Sequence, residues 1–289
     1  MSPLQSLNVE GIELSFVEKG AGQTIFFVHG IPTDYRAWAA QVTAFSESFQ
    51  TVSYSRRCAY PNKNKDLASS TVENNAKDLA ALIRSVTEGP VHLVGHSYGG
   101  FVAAYCAFLH PELARSLVLV VPYIPTLLIK NLDSSADKLS LLIRMPSVAL
   151  SAQKLLNSAV YPALKELDQG NGEKAIRIHI DGLQEKQNAF DQFPEGVKSM
   201  LLDNKETIRE LSTKLPVFTK KEARTIGTPT LLIRGENCPK ALSAVVELLA
   251  ENMPHSQLST VSNSAHFPHF ENPEEFNSKL SGFLSNQTK

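Results

Sequence analysis

Five short, continuous apolar runs punctuate this chain: TIFFVHG after the turn at Gly20-Ala21-Gly22, TVSYSRR (51–57), VHLVG (91–95), SLVLVV (116–121) and TPTLLIRG (228–235). Runs that do not alternate apolar with polar are typical of strands buried on both faces. Between them fall helical patterns. Residues 72–87 place Val72, Ala76, Leu79, Leu82, Ile83 and Val86 at helical spacing; residues 98–110 and 241–252 do likewise, and Pro273 to Leu284 forms a closing helix. Strands alternating with helices predict a largely parallel sheet covered on both faces. At the start, SLNVEG followed by IELSFVEKG alternates apolar and polar residues and reads as an antiparallel hairpin. A more polar strand, Gln257 to Val261, belongs near a sheet edge. The expected architecture is therefore α/β, with an eight-stranded, mostly parallel sheet and helices on both faces.

One region breaks the alternation. From Tyr123 to Phe218 only helical segments occur, punctuated by Pro125, Pro146, Pro162, Gly170-Asn171-Gly172, Pro194 and Pro216. A loop of that length needs structure of its own. We read residues 123–218 as a helical cap inserted between the sixth and seventh strands of a core formed by 1–122 and 219–289. Its leucines and isoleucines, Leu127, Leu128, Ile129, Leu141, Leu142, Ile143, Leu155 and Leu156, are expected to be buried.

Charge excludes several classes of partner. There are 28 Lys and Arg against 29 Asp and Glu, a formal net charge of −1, and no basic stripe that would suit nucleic acid. The three scattered cysteines, Cys58, Cys106 and Cys238, offer neither zinc spacing nor a CxxC pair and suit a reduced, cytoplasmic setting. The start, MSPLQSLNVEGIEL, does not read as a signal peptide, and no run approaches the ~20 apolar residues a membrane span needs.

Three turns carry chemistry. Gly95-His96-Ser97-Tyr98-Gly99 fits G-x-S-x-G. Alone the pentad is weak, but here VHLV reads as a strand and GGFVAAYCAFL as the start of a helix, the setting the motif requires. Ser97 is then lifted out at the carboxyl edge of the sheet, a position for a nucleophile; the bland alternative is a serine that merely caps the helix. In Phe26-Phe27-Val28-His29-Gly30-Ile31-Pro32 a strand again runs into a tight turn. A tetrahedral oxyanion needs two preorganised N–H donors, and the amides of Ile31 and Tyr98 are the candidates. Third, Ser262 to Pro273 follows the last strand and carries His266 and His269. His266, first after the strand, is the candidate general base; His269 lies nearer the helix and suits a structural role.

With these motifs in this order, the chain resembles the α/β-hydrolase-fold superfamily, in its serine-nucleophile, esterase- and lactonase-like branch. The resemblance covers the whole chain. It implies Ser97 as nucleophile, His266 as base, and Ile31 and Tyr98 as oxyanion amides. Haloalkane dehalogenase and epoxide hydrolase relatives carry aspartate at the elbow, so the serine disfavours those activities. The resemblance implies no metal or organic cofactor, and a small-molecule substrate.

It also implies a carboxylate that this chain does not supply where relatives do. The usual aspartate stands three residues beyond a glycine after the seventh strand; in Gly235-Glu236-Asn237-Cys238 that position holds Cys238. The minority position, at the end of the sixth strand, holds Val121. Three explanations stay open. Glu236, or less directly Asp34 or Asp133, supplies the acid; Ser97 and His266 work as a dyad; or the fold hosts non-hydrolytic chemistry. A second departure is SYSRRCAYP (53–61), where many relatives have a glycine-rich loop; here Arg56 and Arg57 either meet an anionic group or are structural. The expected activity is hydrolysis of a small, largely apolar ester, lactone or related acyl compound. The alternatives are a lyase, cyclase or cofactor-free oxygenase, or a ligand-binding, receptor-like protein.

Overall fold

In a computed structural model, residues 3–287 are described. Eight strands form one sheet: β1 (Gln5–Val9), β2 (Ile12–Lys19), β3 (Thr24–Val28), β4 (Gln50–Tyr54), β5 (Val91–His96), β6 (Ala114–Val120), β7 (Thr230–Gly235) and β8 (Ser256–Val261). Their order is β1-β2-β4-β3-β5-β6-β7-β8. β2 pairs antiparallel with β1 and β4, and every later pairing is parallel. The expected hairpin and polar edge strand are both present.

Sequence runs and strand limits differ most at TVSYSRR. β4 stops at Tyr54 because Arg56 turns away to bond groups outside the sheet: its N–H donates to His29 Nε2 at 2.9 Å and its Nη1 to Glu210 at 2.7 Å. The central strands explain their lack of alternation: all residues of β3 and β5 are buried.

The strand order reverses at β3. From there the chain steps outward to β4, then returns across β3 to β5 and continues the other way. At such a switch point two adjacent carboxyl ends part company and leave a crevice, the usual place for a site in an α/β sheet. Here those ends are His29-Gly30 and His96-Ser97.

Around the sheet lie α1 (Ala39–Phe45), α2 (Val72–Val86) and α3 (Ser97–Leu109), with further helices toward the carboxyl end of the chain. α2 buries Val72, Ala76, Leu79, Leu82 and Ile83 as its periodicity predicts, and Thr71 caps it by accepting from Asn74 N–H. α3 is apolar all round because it packs against β5, β6 and α2. Small residues let it approach: a Cβ on Gly99 would lie 2.2 Å from the His29 carbonyl oxygen, and one on Gly95 would lie 2.5 Å from that of Gly99.

Between β6 and β7 the chain is helical, as expected: α4 (Ser135–Arg144), α5 (Pro146–Leu155), a π turn (Leu156–Val160), α6 (Tyr161–Asp168), α7 (Gly172–Gln184), α8 (Glu195–Asp203), a 3-10 segment (Lys205–Ser212) and α9 (Lys220–Thr225). Pro146 opens α5, where a missing N–H costs nothing, and Pro162 lies just after the π turn that leads into α6. One expectation fails here. Leu127, Leu128, Leu141 and Leu155 are buried, but Leu142 and Ile143 are 43% and 73% exposed. α4 leans mainly on α5 through a narrow stripe, with Leu141 its one buried residue, so its other side faces solvent. After β7 come α10 (Lys240–Asn252), the single turn α11 (Pro268–Glu271) and the closing helix α12 (Pro273–Ser285).

The helical segment is tied to the sheet edge by polar bonds. Asn204 donates to Asp34 at 2.7 Å and accepts from Tyr60 N–H at 2.8 Å, while Ala241 N–H donates to Ser151 Oγ at 3.1 Å. The most deeply buried tie is Arg56–Glu210, in which neither side chain is exposed and Ser70 Oγ also donates to the carboxylate at 2.7 Å.

Candidate active site

Ser97 stands where β5 ends and α3 begins, with φ at +51°. A left-handed conformation costs a non-glycine residue about 1–2 kcal/mol. Such strain persists only where the surroundings over-determine it, and it clusters at functional positions. Here the surroundings are the close β3–α3 contact and a bond from Tyr123 N–H to the Ser97 carbonyl, 2.9 Å. That bond fixes the peptide that follows the serine.

His266 lies on the loop after β8, and its Nε2 is 3.1 Å from Ser97 Oγ. These two residues, 169 positions apart in sequence, are thus within hydrogen-bond reach. The loop is held by its backbone. His96 Nε2–H donates to the His266 carbonyl at 2.8 Å, and His266 N–H donates to Gln184 Oε1 at 3.3 Å. Burial is nearly complete: Ser97 is 7% and His266 1% exposed. Burial, reinforced by the nearby imidazoles of His96 and His179, holds His266 well below the usual histidine value.

The turn after β3 backs directly onto the serine, since a Cβ on Gly30 would lie 3.1 Å from Ser97 Cβ. The His29 tautomer is fixed by its partners. Nε2 accepts from Arg56 N–H, so the proton sits on Nδ1 and goes to the Gly30 carbonyl, 2.8 Å away. Thr33 adds donation to the same oxygen from Oγ1 at 3.0 Å and from its N–H at 3.3 Å. The Ile31 amide therefore belongs to a rigid turn. Ile31 and Tyr98 are both buried, in the turns that follow β3 and β5.

The other side of His266 differs from a complete triad. Its Nδ1 is buried and has no hydrogen-bond partner among the described residues. The carboxylates considered from sequence are engaged elsewhere. Glu236 is exposed and accepts from Asn263 N–H at 3.0 Å, so the structure does not bring it to the histidine. Asp34 is buried against Arg36 at 2.6 Å and Asn204, and it caps a short helical turn through Arg36 N–H. Asp133 is exposed on the loop before α4. Val121 is fully buried with φ at +42°, a rare conformation for a β-branched residue, so the end of β6 is sharply turned at the position where some relatives carry the acid. Cys238 is partly buried, and burial pushes its thiol up to about 12.

His269 is a core residue, stacked on Trp38 with ring centroids 4.4 Å apart. Arg56 and Arg57 are structural too: Arg56 pairs with Glu210, and Arg57 pairs with Asp78 at 2.7 Å. Among the described residues no group of three or more His, Cys, Asp or Glu is arranged to hold a metal ion.

Three contributors were not singled out in the sequence. His96 carries the His266 carbonyl, and Gln184 and Glu271 hold the amides around it. Glu271 was within reach of sequence reasoning, because it follows the histidine and ends the turn that Pro268 opens. Gln184 lies in a helix without any motif, and only the packing reveals it.

A model described as "Alpha/beta hydrolase family" matches residues 25–279. The chain is 24% identical over 284 residues to a 2-(acetamidomethylene)succinate hydrolase of Mesorhizobium japonicum, covering 96% of this chain and 94% of that protein. In three dimensions it is similar to an epoxide hydrolase from Bacillus megaterium, with TM-score 0.75, 19% identity, and 97% and 100% of the two chains covered. It is also similar to the carboxylesterase CesB (YbfK) from Bacillus subtilis, with TM-score 0.74, 17% identity, and 99% and 92% covered. At these identities the two structures speak for the fold alone.

Proposed function

The chain belongs to the alpha/beta hydrolase family, and from that premise we propose that it hydrolyses a small, largely apolar carboxylic ester, lactone or related acyl compound. The observation that carries the reading is the 3.1 Å approach of His266 Nε2 to a strained Ser97. Ser97 Oγ attacks the carbonyl carbon and its proton passes to His266 Nε2. The amides of Ile31 and Tyr98 receive the negative charge on the former carbonyl oxygen. Collapse expels the leaving group, which takes the proton from His266. Water then attacks the acyl-enzyme with His266 again as base, and Ser97 regains its proton. In this reading residues 123–218 form a cap over the site, and the free cysteines Cys58, Cys106 and Cys238 suit a reduced, cytoplasmic setting.

The unpartnered Nδ1 limits the rate. For Nε2 to accept, Nδ1 must carry the ring proton, and a buried donor without an acceptor costs about 1–3 kcal/mol. Among the described residues no acceptor then fixes the base-competent tautomer or stabilises the imidazolium, a loss worth up to ~10⁴ in turnover. The enzyme is therefore a slow Ser–His dyad. The same observation favours a second reading, a non-hydrolytic enzyme such as a lyase, cyclase or cofactor-free oxygenase, which predicts negligible turnover of aryl esters and a greater need for His266 than for Ser97.

The pH profile of aryl ester hydrolysis tests the dyad. The active form of His266 is neutral, and its folded value lies well below the ordinary 6.5. The base thus stays available as pH falls. We expect kcat/KM to hold level through pH 6.5 and to decline only at distinctly lower pH, provided the fold persists. An acid limb centred at 6.5 or above would contradict a buried His266 base, and no turnover at any pH would favour the second reading.

A further inference from the structure

Three successive backbone N–H groups, those of residues 265, 266 and 267, all point at two side chains. Glu271 Oε2 accepts from Ala265 and Phe267, each at 2.9 Å. Gln184 Oε1 accepts from His266 at 3.3 Å. The two acceptors are joined, because Gln184 Nε2 donates to Glu271 Oε1 at 3.1 Å. The carboxylate thus orients the amide, and together they bracket the histidine's backbone from both sides.

We propose that Gln184 and Glu271 are positioning residues for His266, and that through Gln184 the helical segment between β6 and β7 sets whether the histidine faces Ser97 productively. This rests on the reading of His266 as the base. Gln184 is the last residue of α7, and Glu185 leaves the helix at φ +50°, so the side chain is aimed by a defined helix end. An apolar contact reinforces the link: Phe193, beyond that helix end, meets Phe267 edge-on at 5.8 Å and Phe270 at 6.2 Å. Both Gln184 and Glu271 are only partly buried, so neither is a core residue whose loss must unfold the protein. The usual orienter of a catalytic histidine acts on its ring, and here Nδ1 has no partner among the described residues. Ring packing against His96 and Phe267, each 4.9 Å away, and the backbone bonds together hold the ring toward Ser97. A shift of α7, as when a substrate enters beneath the helical segment, moves Gln184 and with it the His266 amide.

The pairing suggests an exchange test. In Gln184→Glu two carboxylates face each other and the clamp opens. In the double variant Gln184→Glu/Glu271→Gln the new carboxylate accepts from His266 N–H and from the amide at 271, whose oxygen takes the Ala265 and Phe267 donors. The probe is the rate of covalent labelling by an alkyl fluorophosphonate, read beside the thermal midpoint. Gln184→Ala is expected to label about tenfold more slowly, the loss of one hydrogen bond near 1.4 kcal/mol, with a midpoint within a few degrees of the parent. Gln184→Glu should label more slowly still, and the double variant should return to within about threefold of the parent. Parent-like labelling in both single variants, or rates that merely follow the midpoints with no recovery in the double variant, would overturn the proposal. If the parent itself does not label, the proposed hydrolysis fails separately, and the clamp is read from the ¹⁵N chemical shifts of the His266 ring. Shifts that change in Gln184→Ala and return in the double variant support the clamp; shifts unchanged throughout overturn it.

Discussion

Replacing Cys238 with aspartate is expected to raise ester turnover, by about 10² and at most about 10⁴, the span that a correctly placed triad carboxylate is worth. The turn that holds Cys238 already abuts the histidine loop. Asn237 N–H donates to the Ser264 carbonyl at 2.8 Å, and a Cβ on Gly235 would lie 2.2 Å from the Ala265 carbonyl oxygen. By the family resemblance a carboxylate at this position faces the histidine ring, where it would accept from His266 Nδ1–H, select the tautomer that leaves Nε2 free, and stabilise the imidazolium. It would also raise the histidine's pKa, so the acid limb of the profile should move upward together with the rate. The two changes have one cause, and measuring kcat/KM against pH for Cys238→Asp reads both. A variant that folds but gains no rate and keeps the parental limb would show that the missing acid is not what limits the dyad.

The second large effect concerns stability. Glu210→Ala is expected to cost about 3–5 kcal/mol, because it strands the Arg56 guanidinium in a site with no solvent exposure. Arg56 Nη2 already has no partner among the described residues, and the bond left to the guanidinium, Nε to the His29 carbonyl at 3.1 Å, is to a neutral acceptor. Stacking over the Tyr98 ring, 4.7 Å from its centroid, remains but cannot neutralise a buried charge. Removing both charges by Arg56→Met with Glu210→Met should cost much less, since an apolar replacement of a buried pair is often close to neutral. Urea unfolding of the two variants makes the comparison. Equal losses in both would mean that shape, not charge pairing, dominates this junction.

The sheet was legible because each buried strand is a short run of apolar residues, and the periods of α2, α10 and α12 survive in the sequence. The helical character of residues 123–218 could be read from the absence of such runs. The exposure of Leu142 and Ile143 could not, because hydrophobicity alone does not say whether a helix finds a partner for its second face. Around the site, Ser97, His266 and the turn at Gly30 announced themselves because sharp turns demand particular residues at fixed spacing. Val121 and Cys238 were equally visible as departures. What the sequence hid was the use of ordinary side chains at long range. His29 bonding Arg56, Glu210 reaching from the 3-10 segment and Gln184 from α7 depend on packing between distant elements, and no local pattern encodes that.

In the proposed mechanism Ser97 is a nucleophile activated by His266. Incubating the parent, Ser97→Ala and His266→Ala with an alkyl fluorophosphonate, then mapping the adduct by peptide mass spectrometry, tests it directly. One adduct on Ser97 is expected in the parent and none in Ser97→Ala, with labelling slowed by at least about 10² in His266→Ala. Folded parent that hydrolyses an ester yet carries no adduct on Ser97, or His266→Ala that labels at the parental rate, would contradict it.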